Sequence, residues 1–281
     1  MKILIVGGSG FIGSHLCQHL AENSDYSVTI LTRNIAKYNH IANELVINQL
    51  DSNVTYDVII NLAGEKIDKQ RWTEKFKKEL YTSRINTTGM IVEYIRVTAI
   101  KPKLLISGSA IGYYGGKFSH QLCSAWEKCA LQARSYGVLV AIVRTGVVLS
   151  GDGGALKKLI LPFRLGLGMV LGQGSQFMSW IHIKDYIKII EFIINKNLDG
   201  VFNMVSEHPA TNKHFSILLA ETLHRPLLFR MPSRLVIWVF GQMGQELLLD
   251  SIKVFPEQII AAGYTFEFSE LDQVFKDILD Q

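Results

Sequence analysis

At 281 residues the chain has room for one large domain or two modest ones, each with a full hydrophobic core. Apolar residues make up 48% and charged residues 19%, a globular balance that excludes a disordered acidic or basic tail. A formal charge of +4, from 29 Lys and Arg against 25 Asp and Glu, is too mild to point to nucleic acid.

The sequence opens in a strand at Lys2 without a basic lead or an apolar signal core, so no secretory leader is expected. Residues 3–6, 28–31, 58–62, 104–107 and 138–143 are short, β-branched and almost wholly apolar. Strands apolar on both faces belong to a parallel sheet covered by helices. Between them run helical patterns: Ile12, Leu16 and Leu20 at four-residue steps, then Phe76, Leu80, Ile91 and Ile95 on a longer helix from about Thr73. Alternating signs over residues 74–79 read as a solvated helix face. The expected fold is therefore α/β, a doubly wound parallel sheet of the Rossmann type.

After Leu149 the texture changes. Residues 150–154 are glycine-rich, and Gly166, Gly168, Gly172 and Gly174 punctuate the next stretch. Asp185 is expected to cap a helix from Tyr186 to about Asn195, with a strand over 201–205. Further helices are expected from Thr211 or Asn212 and from Ser233, and Ser269 with Asp272 resembles a capping box for the last. Residues 1–149 thus read as a dinucleotide-binding domain, with 181–205 returning to it, and 150–281 as a smaller, mostly helical substrate region. The longest apolar runs, 138–149 and 186–194, are broken by Arg144 and by Lys188 and Glu191, so neither is expected to cross a bilayer. Three cysteines, Cys17, Cys123 and Cys129, are too few for a disulfide scaffold and suit a reducing, cytoplasmic setting.

The strongest chemical signal is Gly7-Gly8-Ser9-Gly10-Phe11-Ile12-Gly13, placed between the first strand and the first helix. Glycines let the turn be tight and the backbone approach a pyrophosphate, and the helix start offers it free N–H groups. The second strand ends in Thr32-Arg33-Asn34 rather than in a carboxylate. An acidic residue there would hold a ribose hydroxyl and repel a 2′-phosphate, whereas Arg33 can grip the phosphate, so NADP(H) is favoured over NAD.

Several strings carry a family resemblance: the glycine loop, Asn61-Leu62-Ala63-Gly64-Glu65, Ser107-Gly108-Ser109-Ala110, and Trp180-Ile181-His182-Ile183 with Asp185. Arg71-Trp72, Ser83-Arg84, and the stretches over 144–149, 162–168 and 246–249 add to it. Together they resemble the extended short-chain dehydrogenases, and more narrowly an atypical epimerase subfamily, over essentially the whole chain. The resemblance implies cofactor contacts at Thr32, Arg33, Leu62, Ala63, Glu79, Arg84 and Val147, with Gly64, Glu65 and Ser107 in the same strings. Glu79 and Arg84 could equally be a surface ion pair.

For catalysis the superfamily uses an asparagine, a serine, a tyrosine and a lysine. Asn86 and Ser109 stand at the first two positions. Counting back from Glu127 puts Ser119 and Cys123 where tyrosine and lysine belong, and this pair cannot supply a phenol acidified by an ammonium. Tyr113 alone has a lysine four residues on, Lys117, but Gly115 and Gly116 intervene. Tyr113 or Tyr114 remains a candidate proton donor, and His182 either an acid–base group or a loop histidine bonded to backbone. The link between Tyr114 and Phe118 is shorter than the subfamily's usual acidic loop. His15 and His19 lack a third ligand, so no metal is expected.

The implied activity is hydride transfer on a small polar or carbonyl substrate by an NADP(H)-dependent oxidoreductase or epimerase. The alternative is a catalytically silent NADPH-binding sensor. A homodimer is the superfamily's habit, and neither nucleic acid nor membrane is an expected partner.

Overall fold

The computed structural model describes residues 1–32 and 45–279. Arg33 lies outside them. In chain order come β1 (Lys2–Val6), α1 (Phe11–Ala21), β2 (Ser27–Leu31), β3 (Leu45–Ile47), β4 (Val58–Asn61), α2 (Glu74–Val97), β5 (Leu104–Ala110), a 3₁₀ turn (Ile111–Tyr114), α3 (Lys117–Leu131) and β6 (Leu139–Thr145). β7 (Val147–Leu149), α4 (Gly154–Arg164), β8 (Met169–Leu171), β9 (Phe177–Met178), β10 (Trp180–His182), α5 (Ile183–Lys196) and β11 (Gly200–Met204) come next. The rest is β12 (Ala210–Thr211), α6 (Asn212–Thr222), β13 (Phe229–Met231), α7 (Ser233–Phe240), the single turn α8 (Gln242–Gly244), a wide π turn (Gln245–Leu249), α9 (Glu257–Ala261) and α10 (Leu271–Leu279).

Seven parallel strands form the main sheet in the order β11-β6-β5-β4-β1-β2-β3. It is the doubly wound Rossmann architecture. The period of two along each strand divides the core: Ile3 and Ile5 face α1 and α5, with Leu16, Leu20, Tyr186 and Ile190, while Leu4 and Val6 face α2, with Ile91 and Ile95. The chain leaves β1 towards β2 on one side and later returns to β4 on the other, so the strand order reverses between β1 and β4. A crevice at the carboxyl ends of these strands is where such folds bind ligands.

α2 starts where its cap places it, Thr73 Oγ1 accepting from Phe76 N at 3.2 Å. α5 starts earlier than Asp185 suggested. Its N-cap is His182, whose Nδ1 accepts from Lys184 N at 3.2 Å. Asp185 is fully buried instead and accepts from Tyr264 Oη, Glu267 N and Phe268 N at 2.9–3.0 Å, tying residues 264–268 to α5. Ser269 is likewise no cap: its hydroxyl donates to Glu207 at 2.8 Å, and α10 begins at Leu271.

The later region wraps a separate cluster around Trp180, Leu156, Phe215 and Phe275. Three short ribbons, β7–β10, β9–β12 and β8–β13, frame it. Among the described residues no helix is long and apolar enough to cross a membrane.

His182 has a pH consequence. It is 1% exposed, stacks on Phe268 at 4.0 Å, and burial pushes its pKa down to about 4, with Lys184 also opposing protonation and Asp277, Asp185 and Glu267 favouring it. A folded value below the unfolded one means that the unfolded chain takes up the proton first. The stability this group protects is therefore complete above about pH 6.5 and falls as pH drops towards 4, by about 3 kcal/mol in all. Urea unfolding at pH 7 and pH 4.5 should show this slope, and His182→Asn, which keeps an acceptor for Lys184 N, should flatten it.

Candidate active site

The crevice is built from backbone before side chains. Gly7 has φ +89°, a left-handed conformation natural only to glycine, and a Cβ there would lie 2.7 Å from Ala63 N. That closeness brings the β1–α1 loop against the end of β4. At Gly13 a Cβ would strike the Gly7 carbonyl and stand 2.8 Å from Gly8 Cα, so α1 can seat directly behind the loop. Gly10 caps α1 with no side-chain bond, and the first intrahelical bond is from Ser14 N to Gly10 O. The amides of Phe11, Ile12 and Gly13 thus have no acceptor within the helix, beside the exposed Ser9 and Gly10. The Phe11 ring packs on Gly154 of the later region.

Thr32, at the end of β2, donates its N–H to Ile47 O at 2.9 Å. Beyond β4, Leu62 N bonds Val6 O, Ala63 N bonds the Asn61 side chain, and Glu65 receives Lys69 Nζ at 3.0 Å. Gly64 is exposed, and a Cβ on it would stand 2.9 Å from Arg84 Cζ. Arg84 is no surface partner of Glu79. Its guanidinium donates to Leu80 O and Glu65 O at 3.1 Å and lies 5.2 Å from the Trp126 ring, while burial lowers its pKa. Glu79 stays exposed on α2. Ser107 is buried beside Asn61 in the sheet, and Val147 starts β7 with its N–H on Ser179 O.

A second group lies one strand further on. Ser109, near the end of β5, donates its hydroxyl to Glu127 Oε1 at 2.6 Å. Glu127 sits on α3 and holds Arg144 of β6 in a fork, Nε to Oε1 and Nη2 to Oε2, each 2.8 Å. Arg144 Nη1 donates to Tyr114 Oη at 2.6 Å, which in turn donates to Asn203 Oδ1 at 3.1 Å. The same guanidinium stands 3.5 Å from the Tyr113 ring centre. Burial alone would lower the pKa of Arg144, but its bonds to Glu127 and Tyr114 outweigh that and raise it.

One sequence expectation changes here, and two are narrowed or upheld. Asn86 does not reach Ser109: it is exposed on α2, two residues from both Arg84 and Thr88, and therefore on the far side of the helix from them. Thr88 faces inward in its place, accepting from Asn61 Nδ2 and Trp126 Nε1. Of the two tyrosines, Tyr114 has its phenol committed to Arg144 and Asn203, which leaves Tyr113 as the candidate donor. Tyr113 and Lys117 lie in different elements, the 3₁₀ turn and the start of α3.

On α3, Ser119 and Cys123 are one turn apart and buried, and burial raises the Cys123 thiol. Ser119 does not face an open cleft. Its N–H and hydroxyl both donate to Glu246 Oε2, at 2.9 and 2.6 Å, and Phe118 N and Gln242 Nε2 donate to Oε1. A carboxylate from the π turn thus closes the amino end of α3, where the helix dipole favours negative charge. Burial would raise the Glu246 pKa, yet these donors hold it below the usual carboxylate value. His15 and His19 bond Asp152 and Glu191 from two different elements.

A model of the NAD dependent epimerase/dehydratase family matches residues 3–204, which include the strands of the main sheet from Ile3 on, the glycine crevice and the Ser109–Glu127–Arg144 group. The chain belongs to the NAD-dependent epimerase/dehydratase family. In this epimerase-family chain a second match, to a domain of unknown function (DUF1731), covers residues 231–278. Epimerase family proteins of Staphylococcus haemolyticus and Staphylococcus epidermidis are 35% and 34% identical to it, over 99% of this chain and of theirs. The crystal structure of the human epimerase family protein SDR39U1 (isoform 2) with NADPH is 32% identical and covers all of both chains, with a TM-score of 0.89. The UDP-glucuronic acid 4-epimerase of Bacillus cereus, at 20% identity and a TM-score of 0.78 over 100% of this chain and 98% of its own, shares the fold.

Glu127 and Arg144 were not candidates from sequence, although a signal existed. Arg144 interrupts an apolar strand, and a buried charge requires a partner.

Proposed function

We propose that this chain is an NADP(H)-dependent oxidoreductase or epimerase, in which residues 1–149 hold the dinucleotide and the later region roofs the substrate. The observation that carries the reading is the glycine cradle of Gly7, Gly10 and Gly13 with the open α1 amides, which side chains at Gly7 or Gly13 would obstruct. The N–H groups of Phe11, Ile12 and Gly13 would hold the pyrophosphate, with Leu62, Ala63 and Gly64 as a flat floor. Thr32 and Arg33 would take the ribose and its 2′-phosphate. The bound nicotinamide would supply the hydride donor or acceptor. Ser109 would orient a small hydroxyl or carbonyl substrate beside the nicotinamide, its oxygen free to accept a substrate hydroxyl's hydrogen bond while its own O–H donates to Glu127. Arg144 keeps Glu127 in place, and Tyr113 would line the cleft as the remaining phenol.

The human relative solved with NADPH supports the cofactor assignment. Three cysteines, too few for a disulfide scaffold, are in keeping with a cytoplasmic site of action. A catalytically silent NADPH sensor is the second reading, favoured by Ser119 and Cys123 standing where the superfamily's phenol and ammonium belong.

Fluorescence titration should give tighter binding of NADPH than NADH. Arg33→Ala should weaken NADPH by about 10- to 100-fold and NADH little, because only the phosphate loses a charge-assisted bond. Equal loss for both would remove Arg33 from the site. Incubation with panels of carbonyl compounds and nucleotide sugars should give turnover that Ser109→Ala lowers by about 100-fold at unchanged NADPH affinity. Firm NADPH binding with no turnover on any panel would select the sensor.

A further inference from the structure

Charge and apolar surface coincide at one edge of the later region. Residues 157–168 and 224–240 carry six of the 29 Lys and Arg and none of the 25 Asp and Glu, leaving the remainder of the chain with 23 cations against 25 anions. All six, Lys157, Lys158, Arg164, Arg225, Arg230 and Arg234, are exposed, although Lys158 pairs with Asp68. The fold joins the two segments: β13 pairs in parallel with β8, which directly follows the α4 turn, and Arg225 Nε donates to Arg164 O at 2.7 Å.

The same segments expose large apolar side chains. Trp238 at 75% and Leu228 at 74% are the most exposed large hydrophobics among the described residues, joined by Leu161, Leu165, Phe229 and Leu235. α7 buries Val236 alone and turns Arg234, Leu235, Trp238 and Val239 outward. Single exposed apolar residues need no explanation, but a patch rimmed by one sign of charge does. An exposed Trp beside Leu, Phe and Arg, with no acidic residue between, is the composition of a surface that lies in a lipid interface.

We propose that the edge formed by α4, the β8–β13 ribbon and α7 docks reversibly on an anionic lipid surface. The apolar side chains, Trp238 foremost, would enter the interface while the six cations meet the headgroups. Such lying-on requires no spanning helix. The charge distribution favours this occupant over a second copy of the chain, whose identical edge would oppose six cations with six.

Sedimentation with vesicles of phosphatidylcholine containing 30% phosphatidylglycerol tests it, with pure phosphatidylcholine vesicles as the control. The protein should pellet with the anionic vesicles only, lose binding at 0.5 M NaCl, and shift its Trp emission to the blue on binding. Arg230→Ser with Arg234→Ser should weaken binding by at least about tenfold, and Arg230→Lys with Arg234→Lys should retain it. Trp238→Phe should abolish the emission shift while NADPH binding is unchanged. Three results would overturn the proposal: no pelleting with anionic vesicles, equal pelleting with neutral ones, or binding unaffected by the serine pair. Concentration-dependent dimerisation lost in Trp238→Ser would overturn it in favour of a second copy.

Discussion

Arg144→Met is expected to destabilise the fold by about 3–5 kcal/mol, with a fall in Tm on the order of 10 °C. The reason lies in what the substitution leaves behind. Glu127 is buried, and Arg144 supplies two of its hydrogen bonds while Ser109 supplies one. Methionine fills much of the volume but leaves the carboxylate with the serine hydroxyl alone, in a setting where an uncompensated charge is expensive. It also frees Tyr114 from Arg144 and takes the cation from the Tyr113 ring. The double variant Arg144→Met with Glu127→Leu should recover most of the loss, since removing both charges removes the desolvation problem. Chemical denaturation of the four proteins gives the coupling energy directly. Additive losses would show that the pair is not the unit described.

Gly13→Ala is expected to weaken NADPH binding by at least about 100-fold, read by titration. A methyl group there meets the Gly7 carbonyl and stands 2.8 and 2.9 Å from Gly8 Cα and Gly7 C, all backbone atoms with no rotamer to yield. The loop must open or α1 must retreat, and either movement displaces the amides that would face a pyrophosphate. Gly89 provides the matched control. It lies in α2, and a methyl group there would have nothing within 4 Å, so Gly89→Ala should leave binding unchanged and raise stability by about 0.5–1 kcal/mol. Undiminished NADPH affinity in Gly13→Ala would separate the cradle from the cofactor.

The parts of this molecule legible in its sequence are those whose causes are local. The strand–loop–helix of residues 2–21 announces itself because the tight turn and the close approach to β4 both demand glycine, and Thr73 starts α2 by bonding an amide three residues away. The parts that were not legible depend on partners far along the chain. His182 and Asp185 flank the same helix start, and composition favours aspartate as its cap. Only the arrival of residues 264–268, some 80 residues later, claims that carboxylate and leaves the cap to histidine. Asn86 has the right residue type at the family position, but helical phase turns it outward. Glu127 looks like an ordinary helix residue until Arg144, from the next strand, lies against it.

The carboxylate of Glu246 has an evolutionary consequence. Helix α3 borrows its terminating anion from a residue 127 positions beyond Ser119, inside the stretch matched by the second domain. The two matched stretches are therefore not interchangeable cassettes. A chimera grafting a foreign tail onto the sheet would inherit a working helix only if the donor carried an acid at the corresponding place, and drift at either end would have to be answered at the other.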